Sequence, residues 1–498
     1  MNIRAGGILM HITSLPSPFG IGDIGPAAWR FVDWLAESNQ RYWQILPLNP
    51  TSPEYDHSPY QSISAFAANP LLISPALLAR DGLLDREDLQ GFPGQSGTRV
   101  EFNPVVEFKS RLLSNACDRF REKGLSAGFR AFCARENGWL DDFTLFRVLK
   151  EAFGKTAWHQ WPEPVRMHHP DALNEVRHTL ADRIENEKIL QYLFARQWQA
   201  LRGWCRRKNV RIIGDLPIYV QHDSADVWAH PHLFKLDDHG NPVSVSGVPP
   251  DYFSETGQLW GSPIYRWDVM EQQGFDWWVD RIARNLELFE IIRIDHFRGL
   301  VAFWEVAAGE TTAIHGEWRP APVWAFLNRL RNRFPFMPFI AEDLGTITAD
   351  VREVIGHFGL PGMRVLQFGM DGGLPGNPHA PHNYPRHCIA YTGTHDNNTS
   401  RGWFEKEADE EMKNRLMRYA GCRFSPERAH ETMIRLVMGS VADTAIFPVQ
   451  DILGLGEDAR MNRPGLGNGN WRWRLNDTRG LNRVRKGLAD WMWMYGRG

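Results

Sequence analysis

The chain has few of the features that assign a protein quickly to a special class. Five cysteines (Cys117, Cys133, Cys205, Cys388 and Cys422) are scattered over 498 residues, without a CxxC pair. That distribution argues against a disulfide framework and against a zinc ribbon. No apolar run approaches the roughly 18 residues of a membrane span, and the opening MNIRAGGILMHITSLPSPFG lacks the apolar core of a signal peptide. The formal net charge is only −3, so no basic field advertises nucleic acid or an anionic membrane. HExxH and EF-hand signatures are missing, as are internal repeats and low-complexity tracts. A cofactor-free protein in a reducing cytoplasm is the expectation, with neither nucleic acid nor membrane as a partner.

What the chain does have is an ordinary globular balance, 43% hydrophobic and 23% charged residues, and 21 tryptophans. The tryptophans cluster in WHQW (158–161), DWW (276–278), NWRWR (470–474) and DWMWMYG (490–496). Most serve as core bulk on this reading. A few lining a groove could stack on the apolar faces of sugar rings.

Short apolar runs, each followed by polar residues, alternate with helical patterns. Strands are expected in 6–16, 42–50, 210–220, the apolar run that opens 291–300 and ends at Asp295, 339–345, 363–368, 388–396 and 444–453. Helices are expected between them, one starting at Pro26 with Trp29, Val32 and Leu35 on one face. Eight buried-looking strands alternating with helices predict an α/β fold, a parallel (β/α)8 TIM barrel. Two connections are too long for simple loops. Residues 51–209 read as an inserted, mostly helical subdomain, and 221–276 as an insertion carrying a functional loop, within one catalytic unit spanning 1–498.

Chemistry in such barrels sits where the strands end, and acids recur there. Asp215 closes the third strand, Asp295 the fourth, Glu342 the fifth and Asp396 the seventh. In IIRIDHFRGL (291–300), alternation puts Arg293 and Asp295 on one side, toward the barrel mouth, so Arg293 gives Asp295 a fixed positive partner. Asp343, adjacent to Glu342, must face the other way and reads as structural. Inward carboxylates with His296 and His395 suggest either a metal site or glycosidic-bond chemistry. A retaining glycosidase needs an ionised nucleophile and a protonated acid about 5–5.5 Å apart, which neighbouring strand ends can supply.

At these residues the chain resembles a known family. GDLPIYV, RIDHFRG, AEDLG and THD are similar, in order, to segments of the α-amylase-like retaining enzymes. The finer resemblance is to the 4-α-glucanotransferases (amylomaltases, disproportionating enzymes) of glycoside hydrolase family 77. It is carried by GILMHITSLPSPFGIGDIG, SPYQSISAFAANPLLIS, SGVPPDYFSETGQLWG, GMRVLQFGMDG, RMNRPG and GNWRWR, and spans residues 5 to 474.

The resemblance implies Asp295 as nucleophile, Glu342 as general acid/base and Asp396 as transition-state carboxylate. It further implies sugar contacts from Arg293, His296 and His395 at the cleavage point, and from Asp215, Tyr60, Ser58, Trp260, Gln258, Asp371 and Asn462. A mobile loop carrying Tyr252 and Phe253 would close over the glucan. No metal or cofactor is implied; the partners are α-1,4-glucans, with glucose or another glucan as acceptor. Two positions depart from related patterns: Val220 stands where amylases carry histidine, and Phe102 where the family often has tyrosine.

Overall fold

A computed structural model describes residues 4–94, 97–250 and 254–498. In chain order its strands are β1 (Ala5–Leu9), β2 (Tyr42–Gln44), β3 (Arg211–Leu216), β4 (Ser244–Val248), β5 (Gln258–Pro263), β6 (Ile291–Ile294), β7 (Ala302–Ala307), β8 (Gly316–Pro320), β9 (Phe339–Ala341), β10 (Gly362–Val365), β11 (Cys388–Tyr391) and β12 (Thr444–Pro448). Eight of them form one parallel sheet in the order β10-β11-β12-β1-β2-β3-β6-β9. The Ala341 N–H donates to Pro361 O at 3.0 Å, which brings β9 up to β10 and nearly closes the barrel.

All eight runs expected from the sequence are barrel strands, and their composition explains why. A parallel strand in a barrel is covered on both faces, so IIRI, FIA, CIAY and TAIFP are buried at every position. The strands end sooner than the apolar runs do. Pro47, Pro217 and Pro448 follow or finish β2, β3 and β12, where a residue without an N–H cannot extend the ladder. Gly214 in β3 has a packing reason: a Cβ there would lie 2.0 Å from the Phe289 ring that backs the strand.

Between β2 and β3 lie the long helices Phe102–Glu122, Ala127–Ala152 and Ala181–Arg207, with the shorter Pro170–Thr179. The last long helix does two jobs. Its first half packs among the other long helices, while Trp198, Leu201 and Cys205 bury against the barrel and the Trp198 indole donates to Leu288 O at 3.0 Å. Phe102, where tyrosine was the family habit, is buried. It stacks on His57 with centroids 3.9 Å apart, and Arg472 lies over its ring.

The strands β4, β5, β7 and β8 form a second, antiparallel sheet ordered β5-β4-β7-β8, which the sequence reading did not foresee. It draws on both the 221–276 connection and the residues after β6, and it overhangs the C-terminal mouth of the barrel through Trp260 on β5. The C-terminal helix Arg479–Met494 was likewise not anticipated; it packs on the helix Pro26–Glu37, where the Trp34 indole donates to Leu481 O. Among the described residues no helix is long and apolar enough to cross a membrane.

Candidate active site

The barrel's register builds the site. Asp215 on β3 and Arg293 on β6 are aligned partners, and one Arg293 nitrogen (Nη1) donates to both Asp215 oxygens at 2.7 Å. The same nitrogen reaches Asp295 Oδ1 at 2.9 Å, and the Tyr60 hydroxyl donates to Asp215 Oδ2 at 2.8 Å. Asp215 and Arg293 are both fully enclosed. Burial pushes the Asp215 carboxyl upward and Arg293 opposes it, while the facing carboxylates hold the guanidinium in its charged form. The ionised aspartate and arginine so deep in the barrel are thus each other's compensation.

Strands β6 and β9 are neighbours, with Ile294 aligned to Ala341. The next residue on each is a carboxylic acid, Asp295 and Glu342. Strands at ~4.8 Å separation therefore put the two groups side by side at the strand ends. Backbone bonds tie the strand ends together: Glu342 N donates to Ile294 O at 3.1 Å and Phe297 N to Glu342 O at 3.2 Å.

The two acids live in different surroundings. The Asp295 side chain is 27% exposed and faces Arg293. Glu342 is buried, and burial pushes its carboxyl up to about 8 despite the nearby Arg293, with the Asp295 charge adding to the rise. Its two oxygens accept the backbone N–H groups of His296 (2.6 Å) and Leu344 (2.8 Å). His296 delivers its N–H from a left-handed conformation, φ 47° and ψ 53°, a region a non-glycine residue occupies only when its surroundings hold it there. Burial lowers the His296 imidazole to about 4, so it is neutral. Asp343 points behind the barrel wall as expected, accepting from Met363 N at 2.6 Å and pairing with Arg364 at 2.9 Å.

Asp396 lies on the segment after β11. Asn462 donates to its Oδ1 at 2.6 Å, and His395 Nε2 stands 3.4 Å from Oδ2. His395 stacks on Tyr60 (centroids 5.1 Å, 13° between planes), and Trp471 closes against both rings. Tyr60 therefore joins the Asp215 and Asp396 sides of the mouth. Trp260 stands edge-on to His296 at 4.7 Å, with its indole N–H directed to Gln258 Oε1 at 3.3 Å.

Other expected residues sit farther from the carboxylates. Ser58 is buried and its hydroxyl accepts the Tyr60 N–H, so it acts on the site through Tyr60. Asp371 is exposed on a turn after β10, bonded to Gly373 N and Asn377 Nδ2; no contact ties it to the acids. Tyr252 and Phe253 lie outside the described residues. Sequence reasoning quoted the segments holding Trp471 and Arg460 without assigning either residue a role. Trp471 was visible in the cluster NWRWR, whereas nothing in the sequence singled out Arg460.

A parallel barrel with an aspartate and a buried glutamate on adjacent strand ends, a third acid on the segment after β11 and aromatic side chains around them fits the enzymes of glycosidic-bond chemistry. The family described as 4-alpha-glucanotransferase, glycoside hydrolase family 77, matches residues 10–479. A 4-alpha-glucanotransferase of Thermus thermophilus is 47% identical over 481 residues, 95% of each chain. The chloroplastic/amyloplastic 4-alpha-glucanotransferase of Solanum tuberosum is 42% identical, covering 99% of this chain and 86% of its own. The amylomaltase of Streptococcus agalactiae, solved in complex with acarbose, superposes with a TM-score of 0.95 at 38% identity, covering 99% of this chain and all of that one. This chain belongs to the 4-alpha-glucanotransferase family.

Proposed function

We propose that the chain transfers segments of α-1,4-glucan to the 4-hydroxyl of glucose or of another glucan by a double displacement through Asp295. The observation that supports the residue roles is that Asp295 and Glu342 follow aligned ends of β6 and β9, the first partly exposed beside Arg293 and the second buried.

In the first step Glu342 gives its proton to the glycosidic oxygen as the C1–O bond breaks, and an Asp295 oxygen bonds C1. The reducing-end fragment leaves as a neutral alcohol. In the second step the Glu342 carboxylate takes the proton of an incoming 4-hydroxyl. That oxygen bonds C1, and the ester to Asp295 breaks. Two inversions restore the α configuration. Asp396 faces the ring on the other side and stabilises its developing positive charge, while Arg293 keeps the nucleophile oriented. Tyr60, His395, Trp471 and Trp260 supply ring faces for sugar stacking, Asn462 and His296 supply polar contacts, Gln258 and Asp371 extend the groove, and Ser58 supports Tyr60 from behind. No cofactor takes part. Residues 51–209 and 221–276 are insertions on one catalytic unit spanning 1–498. A cytoplasmic location fits five unpaired cysteines.

Maltotriose incubated with the protein gives longer and shorter oligomers plus glucose if it transfers. Glucose and maltose without longer products would make it a hydrolase on the same barrel, and no change in the sugar a glucan-binding protein.

The acid role of Glu342 fixes the sign of a pH effect. The proton must be on Glu342 for the first step, so kcat/KM for maltotriose falls as pH rises through about 8, the value to which burial lifts this carboxyl. With α-glucosyl fluoride, whose leaving group needs no proton, loading of the enzyme shows no such alkaline fall. A maltotriose profile still flat at about pH 9 removes Glu342 from the acid role.

A further inference from the structure

Asp396 is the one of the three acids that follows its strand at a distance, five residues beyond the end of β11 at Tyr391. Asp295 and Glu342 inherit their positions from the barrel ladder; Asp396 has to be held by something else. The holding groups are found in the RMNRPG segment. Arg460 spreads its guanidinium over three acceptors: Nη2 to the backbone oxygen of Asp396 (2.9 Å), Nε to the backbone oxygen of Asn462 (2.8 Å) and Nη1 to Glu407 Oε1 (2.6 Å). Asn462 in turn donates to Asp396 Oδ1 at 2.6 Å, and its own N–H bonds His395 O at 3.1 Å. Arg460 thus fixes the backbone that carries Asp396 and the backbone of the side chain that aims it.

Glu407 is placed for this pairing by an uncommon piece of backbone. It ends a π-helical turn, Trp403–Glu407, of the kind that is rare in proteins and concentrates near functional sites. The same Glu407 oxygen also accepts from Asn398 Nδ2 at 3.0 Å, two residues beyond Asp396. Asn398 O is held by the Gln367 amide at 2.8 Å. The Arg460 side chain is only 15% exposed, so its ion pair with Glu407 is better shielded than an open surface bridge.

We propose that Arg460, braced by Glu407, is a positioning residue that sets the orientation of Asp396 and so acts on transition-state stabilisation rather than on substrate binding. The inference rests on the transferase reading above. Lysine offers a point charge where arginine offers a planar fork, and cannot satisfy all three acceptors in their observed directions.

The test is steady-state transfer on maltotriose by Arg460→Met, Arg460→Lys, Glu407→Gln and the double variant Arg460→Met/Glu407→Gln, with melting curves for each. A loosened Asp396 lowers kcat by ~10²-fold in Arg460→Met, the scale of a misplacement of about 1 Å. KM stays within about threefold, because the interaction weakened is one made in the transition state and not in the ground state. Arg460→Lys falls between Arg460→Met and the wild type. Glu407→Gln, which keeps an acceptor on a half-exposed side chain, loses less than Arg460→Met, and the double variant is no slower than Arg460→Met alone. A kcat for both Arg460→Met and Glu407→Gln within about threefold of wild type overturns the proposal. So does a loss confined to KM, or multiplicative losses in the double variant. If Arg460→Met does not fold, Glu407→Gln and Arg460→Lys carry the same kcat-against-KM comparison. A wild-type chain that makes no longer oligomers refutes the transferase reading itself, independently of these variants.

Discussion

Asp295→Asn lowers the rate of glucan transfer by at least ~10³-fold, because an amide cannot form the glycosyl ester through which both steps pass. The fold survives the change. Asp295 is partly exposed, and its observed ion partner Arg293 keeps its two bonds to Asp215 when Asp295 is neutralised. The asparagine carbonyl can still accept from Arg293, so no buried cation is left unpaired, the situation that makes such substitutions destabilising. Circular dichroism and the melting temperature should therefore stay near wild type while oligomer redistribution from maltotriose disappears. Activity within tenfold of wild type in a folded Asp295→Asn protein would take the nucleophile role away from this residue.

Glu342→Gln shows a loss of similar size on maltotriose with a different pattern across donors. The glutamine has no proton to give the leaving oxygen, so loading from a natural glucan stalls. An α-glucosyl fluoride carries a leaving group that departs unaided, and Asp295 remains in place to attack it. Loading from the fluoride therefore persists in this variant. The second step lacks its base, so the loaded enzyme accumulates. Equal losses on maltotriose and on the fluoride would place Glu342 outside proton transfer.

The reasons these two residues could be found from sequence also explain what stayed hidden. A barrel strand covered on both faces leaves an uninterrupted apolar run, so the point where IIRI meets Asp295 and FIA meets Glu342 is visible as a change of composition. Alternation then separates Glu342 from Asp343, and the structure places Asp343 behind the wall with Arg364. The antiparallel sheet lacks such a signal. Its strand β8, GEWRP, is half-exposed and carries glycine, proline and two charges, so neither a period of two nor a continuous apolar run marks it. The inward pairing of Tyr60 with Asp215 spans 155 positions, and that of Arg460 with Glu407 spans 53. Contacts of that kind depend on how insertions and loops return to the barrel mouth. The π-turn that aims Glu407 is a local departure from helical spacing with no compositional mark. For Asp371 the resemblance implies a sugar contact, and the structure shows its carboxylate accepting from Gly373 N and Asn377 Nδ2 on an exposed turn.

The central claim is that a glucosyl unit is carried on Asp295 between donor and acceptor. The measurement that meets it most directly is mass spectrometry of Glu342→Gln protein after incubation with α-glucosyl fluoride, followed by proteolysis and fragment sequencing of the modified peptide. The account predicts one hexosyl residue per chain, located on Asp295 and released when maltose is added together with a small exogenous anion that can serve as base. A label on any other residue, or a protein that consumes the fluoride without ever carrying the sugar, would contradict it.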